Sequence, residues 1–202
     1  MAGTIKLDGT TFLTKDASNN FTLDVGSSGS IPKGTLGSDV VFPAGHVLQV
    51  VQTAKTTITS RSNSNSSIDW TDISGMSCNI TPKTGSKVLV QSFLNVGGQT
   101  EYSNSVRLVR GSTPICVATD AQSNQMSASG FFRTKTDVQT IPQSIIFLDS
   151  SPGGDGSSAI TYKIQWDGES GGLMVLNKHY SDANTYPQAR LASTIVLMEV
   201  AG

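Results

Sequence analysis

The side chains best suited to acid–base or metal chemistry are few in this sequence, and their spacing favours neither. There are two histidines, His46 and His179, and neither has another His or Cys at metal-ligand spacing. A lone histidine at a strand start or in a loop is usually a surface residue. We therefore predict no metal site and no cofactor at these positions.

Acidic residues in and near glycine-rich turns are the second candidates for chemistry. Asp149, Asp155 and Asp167 could offer oxygens to Ca²⁺, but they lack the spaced Asp/Asn pattern and closing Glu of an EF-hand loop. Asp is also common in turns because its carboxylate accepts backbone hydrogen bonds. The stretch Gly-Gly-Asp-Gly at 153–156 lacks the Gly-Lys-Ser/Thr ending of a phosphate loop. The sequence favours turns over ligand sites here.

Catalysis by a serine nucleophile or by paired carboxylates finds little support. No serine combines a Gly-x-Ser-x-Gly context with a plausible His partner, and the chain has only three Glu. Asp69 and Asp72 flank Trp70 and form a candidate sugar-contact patch, and the alternative is a strand-edge turn with a core tryptophan. We predict that the chain is not an enzyme.

Charge and hydropathy exclude several classes of partner. Charged residues make up 14% of the 202 residues and the net charge is -1, so neither a basic patch for nucleic acid nor a polybasic membrane-binding segment is expected. No apolar run reaches 18 residues, which predicts no transmembrane helix. The first residues lack an apolar signal region, so we expect synthesis in a cytoplasm. Cys78 and Cys116 are predicted to be buried free thiols.

Two segments alternate as β-strands and are apolar on both faces. From 87 to 96, one face holds Val88, Val90, Ser92, Leu94 and Val96, and the other holds Leu89 and Phe93 among amides. The segment 193–200 likewise alternates, with Ile195 and Leu197 on one face and Val196, Met198 and Val200 on the other. A strand that faces water on one side should be polar there. We therefore predict a closed homo-oligomer, specifically a homotrimer, with these interface candidates: Leu89, Phe93, Val196, Met198 and Val200.

Further strand-length segments and Gly/Pro turns recur from residue 47 onward. The segment 160–166 alternates cleanly, and the continuous apolar run at 145–148 predicts a strand between two layers. Polar loops are predicted at 61–67, 120–130 and 177–190. Because strong helix formers are scarce, this spacing favours an all-β sandwich or barrel.

Residues 1–45 differ from the remainder and predict an N-terminal arm, with one large domain at 46–202. Turn signals occur at 8–9 and 19–20, and 26–34 is linker-like. Segments this short bury little unless they dock onto a partner. The alternatives are a floppy N-terminus or a hairpin folded back on the domain. The apolar residues that would dock are Ile5, Leu7, Phe12, Leu13, Phe21 and Leu23.

The large domain also carries a resemblance in its strand and turn sequences. These include Ile-Ser-Gly-Met-Ser-Cys-Asn-Ile-Thr-Pro-Lys-Thr-Gly-Ser-Lys-Val-Leu-Val from 73, Val-Arg-Leu-Val-Arg-Gly-Ser-Thr-Pro-Ile from 106 and Phe-Leu-Asp-Ser-Ser-Pro-Gly from 147. Ile-Thr-Tyr-Lys-Ile-Gln-Trp follows from 160, and Ser-Thr-Ile-Val-Leu-Met-Glu-Val from 193. The stretch resembles the C-terminal domains of bacteriophage fibre and virion-surface proteins, especially those of marine phages.

That resemblance implies a fold, an assembly and a location. It implies a C1q/TNF-like jelly-roll β-sandwich that forms homotrimers on a virion surface. With no extended shaft in the sequence, we expect a short fibre, a head fibre or a capsid-decoration protein assembled in the host bacterial cytoplasm. The arm at 1–45 would attach to other virion proteins of the capsid, portal or tail.

Two alternatives differ from plain decoration. The chain could be the receptor-recognition tip of a tail fibre, binding a host surface glycan through its polar loops, with Tyr180, Tyr186 and Trp70 as the aromatic contacts. It could also be a depolymerase, which the fold alone neither supports nor excludes.

Overall fold

The computed structural model describes residues 3–7, 10–15, 21–23, 42–186 and 188–202 of the chain. Contacts divide the chain into two compact units, Met1–Val41 and Phe42–Gly202. The arm predicted from the sequence ends at residue 45, four residues beyond the first unit. In the described part of the chain, no helix is long and apolar enough to cross a membrane.

The first unit is a small antiparallel sheet of three strands: β1 (Gly3–Leu7), β2 (Thr10–Lys15) and β3 (Phe21–Leu23). Its register places Ile5 opposite Leu13, and Leu13 opposite Leu23. The predicted turns at 8–9 and 19–20 and the predicted linker at 26–34 lie outside the described residues. All six anchor candidates fall on these strands: Ile5, Leu7, Phe12, Leu13, Phe21 and Leu23.

The second unit is built from eleven strands in two sheets. The strands are β4 (Val47–Lys55), β5 (Thr59–Ser62), β6 (Thr71–Ile80), β7 (Lys87–Gly98), β8 (Ser103–Arg110), β9 (Thr113–Ile115), β10 (Gly130–Arg133), β11 (Thr140–Asp149), β12 (Ile160–Gly168), β13 (Leu173–Leu176) and β14 (Ser193–Val200). Strands β4, β5, β7, β11, β13 and β14 form the six-stranded sheet, and β6, β8, β9, β10 and β12 form the five-stranded sheet.

Each sheet has four rows, because some rows consist of two strands in line. In the six-stranded sheet, β14 and β13 pair with successive parts of the same edge of β7. On their other edges, β14 pairs with β4 and β13 pairs with β5. Strand β11 pairs with the other edge of β7. In the five-stranded sheet, β9 and β10 share one edge of β8, and β12 lies between β8 and β6.

The chain passes repeatedly between the two sheets. It goes from β4 and β5 to β6 in the other sheet, back to β7, across to β8, β9 and β10, back to β11, across to β12, and back to β13 and β14. Eight rows in two antiparallel four-row sheets with this order form a jelly roll. The predicted all-β jelly-roll sandwich is therefore confirmed.

The core lies between the sheets and follows the predicted alternation. Every second residue of β7, β12 and β14 points inward and is buried. The largest of these side chains, Trp166 and Tyr162, are at most 1% exposed, and burial of such a side chain contributes about 2–3 kcal/mol. The inward residues of the three strands include Val88, Val90, Leu94, Val96, Tyr162, Ile164, Trp166, Ile195 and Leu197.

Strand β6 departs from simple alternation. Ile73 and Met76 are both buried although they are three positions apart, an odd spacing that would put them on opposite faces of a regular strand. The register against β12 shifts in this part of the strand, where Gly75 has a φ of +78°. A bulge with a left-handed glycine re-aims the following side chains. This places Met76, Cys78 and Ile80 back in the core.

Two expectations from the sequence are wrong, and one strand was not predicted. The run at 145–148 does not lie between two layers, because Ile146 is 68% exposed while Ile145 is buried. Cys116 is only half-buried; it follows β9 with a φ of +55°, and desolvation raises the pKa of its thiol. The segment 120–129 contains no strand, in agreement with the predicted polar loop, but β10, which begins at Gly130 and pairs with β8, was not predicted.

Candidate functional site

The outer face of the six-stranded sheet carries apolar residues that are in register across its rows. Val50 lies opposite Met198, Met198 opposite Leu89, and Leu89 opposite Leu148. Opposed residues on neighbouring antiparallel strands point to the same side of the sheet. One unbroken line of apolar side chains therefore crosses the full width of the sheet.

Further apolar residues lie along the strands on both sides of this line. On one side, Val196 and Ile146 both lie opposite Gln91, and Phe93 follows two residues further along β7. On the other side, Val200 lies opposite Val47. We call this set the apolar face. It comprises Val47, Val50, Leu89, Phe93, Ile146, Leu148, Val196, Met198 and Val200.

Much of the apolar face is open to solvent in the single chain. Ile146 is 68% exposed, Val50 57%, Val47 54%, Leu148 47% and Phe93 45%. These are five of the eleven large hydrophobic side chains recorded as exposed among the described residues. Such clustering on one sheet face is typical of an interaction surface.

The polar residues at the centre of the apolar face are uncharged, and the charged Lys87 lies at its end, opposite Val200. Gln52 and Gln91 flank Val196, and Thr194 and Ser144 flank Phe93. Covering this uncharged centre avoids the large cost of desolvating an ion. By ordinary strand dimensions the face spans about 14 Å across the rows and about 20 Å along them. This arrangement can bury itself against another protein surface, but it offers no nucleophile or general base.

The sequence identified only part of this face. The structure places all five predicted interface residues on it: Phe93 is exposed, and Leu89, Val196, Met198 and Val200 are half-buried. Whether another copy covers them stays a prediction. Val47, Val50, Ile146 and Leu148 also belong to the face and were not predicted from the sequence. Ile146 and Leu148 could have been found from the apolar run at 145–148, because strand alternation puts 146 and 148 on one face of the sheet and 145 and 147 on the other.

The predicted glycan-contact aromatics lie in different surroundings. Trp70 has one ring face occupied by the Arg107 guanidinium, whose carbon is 4.3 Å from the ring centroid. Tyr180 is half-buried, whereas Tyr186 is 99% exposed on the 177–190 loop. Of the three, Tyr186 offers a fully open ring.

The base of the 177–190 loop is fixed by buried hydrogen bonds. The Asn177 side-chain amide donates to the Lys55 carbonyl at 2.8 Å and to the Thr57 carbonyl at 3.0 Å. Its carbonyl oxygen accepts from the Ser193 hydroxyl at 2.6 Å. These contacts hold together the two ends of the loop, which lie at the end of β13 and at the beginning of β14.

The aspartates considered as calcium ligands are engaged with protein donors instead. Asp155 accepts hydrogen bonds from the Ser157 and Ser158 backbone amides at 2.7 and 2.6 Å, which with the Ser158 hydroxyl hold its pKa well below the usual value. Asp167 is 1% exposed and accepts from the Asp69 amide at 2.6 Å. Across the described ranges, no three His, Cys, Asp or Glu residues are grouped as a metal site.

Asp149 belongs to a buried network that joins the two sheets. Arg110 donates to both Asp149 oxygens at 2.8 and 2.7 Å, and the Tyr162 hydroxyl donates to Asp149 at 2.8 Å. Burial, with the hydrogen bond to Asp149, raises the pKa of Tyr162 far above its ordinary value. The three residues come from β8, β11 and β12, so the network is a cross-sheet clamp.

Glu199 anchors the turn before β7. Its carboxylate is 2% exposed and accepts from the Lys83 amide at 2.8 Å and from the Gln49 side chain at 3.1 Å. Burial alone would raise its pKa, but these donors and Ser86 outweigh burial and lower it. The carboxylate thus serves the fold.

Ser170 is the one further residue in a catalytic-type sequence, Gly-Glu-Ser-Gly-Gly at 168–172. A nucleophile elbow requires a strand, a sharp turn and then a helix. Here the segment joins β12 to β13, and both are strands. The local structure therefore does not support a hydrolase nucleophile at Ser170.

Comparisons with known proteins give only a distant likeness. No family model matches the chain, and no curated protein matches it. The VP2 subviral particle of infectious bursal disease virus aligns with 85% of this chain and 42% of its own at 15% identity and a TM-score of 0.33.

The Gt strain of infectious bursal disease virus gives a similar result. It aligns with 95% of this chain and 47% of its own at 14% identity and a TM-score of 0.34. The chain thus spans less than half the length of either structure. The chain is distantly similar to these viral structures, while its jelly-roll assignment rests on its own strand order.

Proposed function

We propose that this chain is a structural protein of a bacteriophage virion, a short homotrimeric fibre or a capsid-decoration or head-fibre protein. The observation that carries the proposal is the apolar face, which lies in register across a complete sheet and is open to water in the single chain. The resemblance of the 73–200 region to phage virion-surface domains supplies the biological setting.

Assembly around an axis accounts for an apolar face of this size. A sandwich has two layers, so within the second unit no third layer covers the outer side of the six-stranded sheet. Three copies closed around an axis bury one such face each, and closure prevents open-ended association into fibres. Strand β7 is central in this sheet, which places Leu89 and Phe93 near the middle of the contact.

The segment 1–45 acts in this proposal as the anchor to other virion proteins, with its apolar docking residues on β1, β2 and β3. The test is deletion of residues 1–45 from the chain during infection. We expect purified particles to lack the protein by mass spectrometry while the truncated protein remains trimeric. Incorporation of the truncated protein at the wild-type level would contradict the anchor role.

Antibody labelling of particles tests where on the virion the protein lies. Antibody raised against residues 42–202 should decorate intact particles in negative-stain electron microscopy, at the head for a head fibre or decoration protein. Labelling confined to the distal end of the tail would favour the second candidate, a receptor-binding tip. Particles that carry no label and no peptide of the chain would contradict a virion role.

The second candidate has one specific observation in its favour, the fully exposed ring of Tyr186 on the 177–190 loop. Exposed tyrosines stack on sugar rings at low entropic cost. Phage carrying Tyr186→Ala, alone or with Tyr180→Ala, should then lose adsorption to host cells. Unchanged adsorption with normal particle assembly would favour plain decoration.

A further inference from the structure

A cleft with both polar and apolar lining lies on the five-stranded-sheet side of the domain, where three connecting segments meet. The segments 65–68, 124–126 and 167–170 enclose about 550 Å³. They come from the connection before β6, the connection between β9 and β10, and the end of β12. Segments that are about 40 to about 100 positions apart in sequence thus form one concave surface.

The floor of the cleft is fixed in place. Asp167 accepts hydrogen bonds from the Asn63 side chain at 3.2 Å, the Asp69 amide at 2.6 Å and the Gly168 amide at 2.8 Å. Arg61 adds a clamp, because it donates to the Trp166 carbonyl at 2.9 Å and to the Asp69 carboxylate at 2.9 Å. The 63–69 connection is therefore held before any ligand arrives, which lowers the entropic cost of binding.

The rim offers polar groups that the protein does not use. Within the part of the chain that the structure describes, the side chains of Asn124, Ser66 and Ser67 make no hydrogen bonds, and all three are exposed. Glu169 accepts from the Ser103 amide at 3.1 Å through Oε2, which leaves Oε1 to accept from a ligand. An amide, hydroxyls and a carboxylate oxygen together can donate to and accept from a ligand that is rich in hydroxyl groups.

Apolar groups complete the lining and narrow the chemical class of ligand. Ile68 is 43% exposed and Met126 is half-buried, and both line the cleft. Among the described residues that line the cleft there is no Lys, Arg or His, whereas Asp167 and Glu169 are present. Asp167 is buried and paired with Arg61 at 3.6 Å, so the Glu169 carboxylate is the charge that repels an anionic ligand. A neutral ligand with hydroxyls on one side and C–H groups on the other matches this lining.

We propose that this cleft binds a neutral oligosaccharide. The apolar side of a sugar ring packs on Ile68 and Met126, and its hydroxyls bond to Asn124, Ser67 and Glu169. The cleft belongs to the side of the five-stranded sheet, whereas the apolar face belongs to the six-stranded sheet, so saccharide binding does not depend on the proposed trimer. An open cleft of this kind gives a dissociation constant on the order of 1 mM per site.

The test uses the full chain with ¹³C-labelled methionine and isoleucine methyl groups, observed by NMR. Maltotriose, cellotriose, chitotriose and mannotriose are titrated separately to about 10 mM, roughly ten times the expected constant. We expect at least one of them to shift the Met126 and Ile68 methyl resonances in a saturable way. Sialyllactose, an anionic sugar, should leave both resonances unchanged.

Variants link the shift to the cleft. Asn124→Ala and Ser67→Ala should each weaken binding about three- to tenfold, as the loss of one hydrogen bond predicts. Asn79→Ala is the matched control, because Asn79 is exposed on β6 of the same sheet and is not among the cleft residues. The proposal is overturned if no neutral trisaccharide shifts the two resonances, if sialyllactose alone does so, or if Asn124→Ala binds as tightly as Asn79→Ala.

Discussion

Replacing Phe93 with aspartate is the sharpest test of the role of the apolar face. Phe93 lies on β7, the central strand of the six-stranded sheet, and its side chain points away from the core. It lines a shallow groove together with Ile146 and Val196. A charge at this position should block association while leaving the interior of the sandwich untouched.

The magnitude follows from the exposed area. A fully accessible Phe side chain presents about 200 Å², so the 45% that remains exposed leaves about 90 Å² for an interface to cover. At about 25 cal/mol per Å², covering it contributes about 2 kcal/mol per subunit and about 7 kcal/mol for three. Loss of this term alone raises the trimer dissociation constant about 10⁵-fold, and desolvation of the aspartate adds to it.

The cost to the single folded chain is smaller. By the same measure, losing the roughly 110 Å² of Phe93 that the single chain already covers costs at most about 3 kcal/mol, and the poor β-propensity of aspartate adds about 1 kcal/mol. The variant should therefore keep its far-ultraviolet circular dichroism spectrum while its mass falls to that of a monomer. Sedimentation velocity across a concentration series measures the mass directly.

Phe131→Asp is the matched control. Phe131 is 60% exposed, more than Phe93, but it lies on β10 of the five-stranded sheet. We expect this variant to remain trimeric. The reasoning is refuted if Phe93→Asp sediments like the wild-type protein, or if Phe131→Asp dissociates and Phe93→Asp does not.

Substitutions of two other side chains should change stability. Asp149→Asn leaves Arg110 without its buried carboxylate partner and should lower the free energy of unfolding by about 2 kcal/mol, a modest loss because the Arg110 side chain is 27% exposed. Urea unfolding compares this variant with Asp120→Asn, a control at an exposed position, and equal midpoints would contradict the clamp. Glu199 has a folded-state pKa below its usual 4.5, so its contribution to stability is present above that pH and is lost as the pH falls through the folded value. Glu199→Gln should accordingly be less stable than wild type at about pH 7, and the difference should shrink below about pH 4 in thermal unfolding; a difference independent of pH would contradict the assigned role.

The strands that could be predicted from the sequence are those in which alternation alone decides burial. In β7, β12 and β14, the alternate residues that point inward are mostly apolar, with Ser92, Ser193 and Glu199 as exceptions, and no tertiary information is needed to see the pattern. Strand β10 was missed because four residues are too short for a period to stand out from a polar loop. The bulge at Gly75 was not predicted either, since its position depends on the register with β12.

The candidate site was only half predictable for a similar reason. Two apolar faces on one strand can be seen in the local sequence, which identified Leu89 and Met198. Their alignment with Leu148 and Val50 depends on pairing with strands distant in sequence, and nothing local specifies that register. The cleft between 65–68, 124–126 and 167–170 likewise arises from long-range placement of three connections.

The central claim is that the apolar face is covered by other copies of this chain. The most direct measurement is the mass of the wild-type protein by size-exclusion chromatography with multi-angle light scattering at micromolar concentration. The account predicts three times the 21.2 kDa mass of one chain. A stable, soluble species of 21.2 kDa would contradict it, because the apolar face would then remain in water.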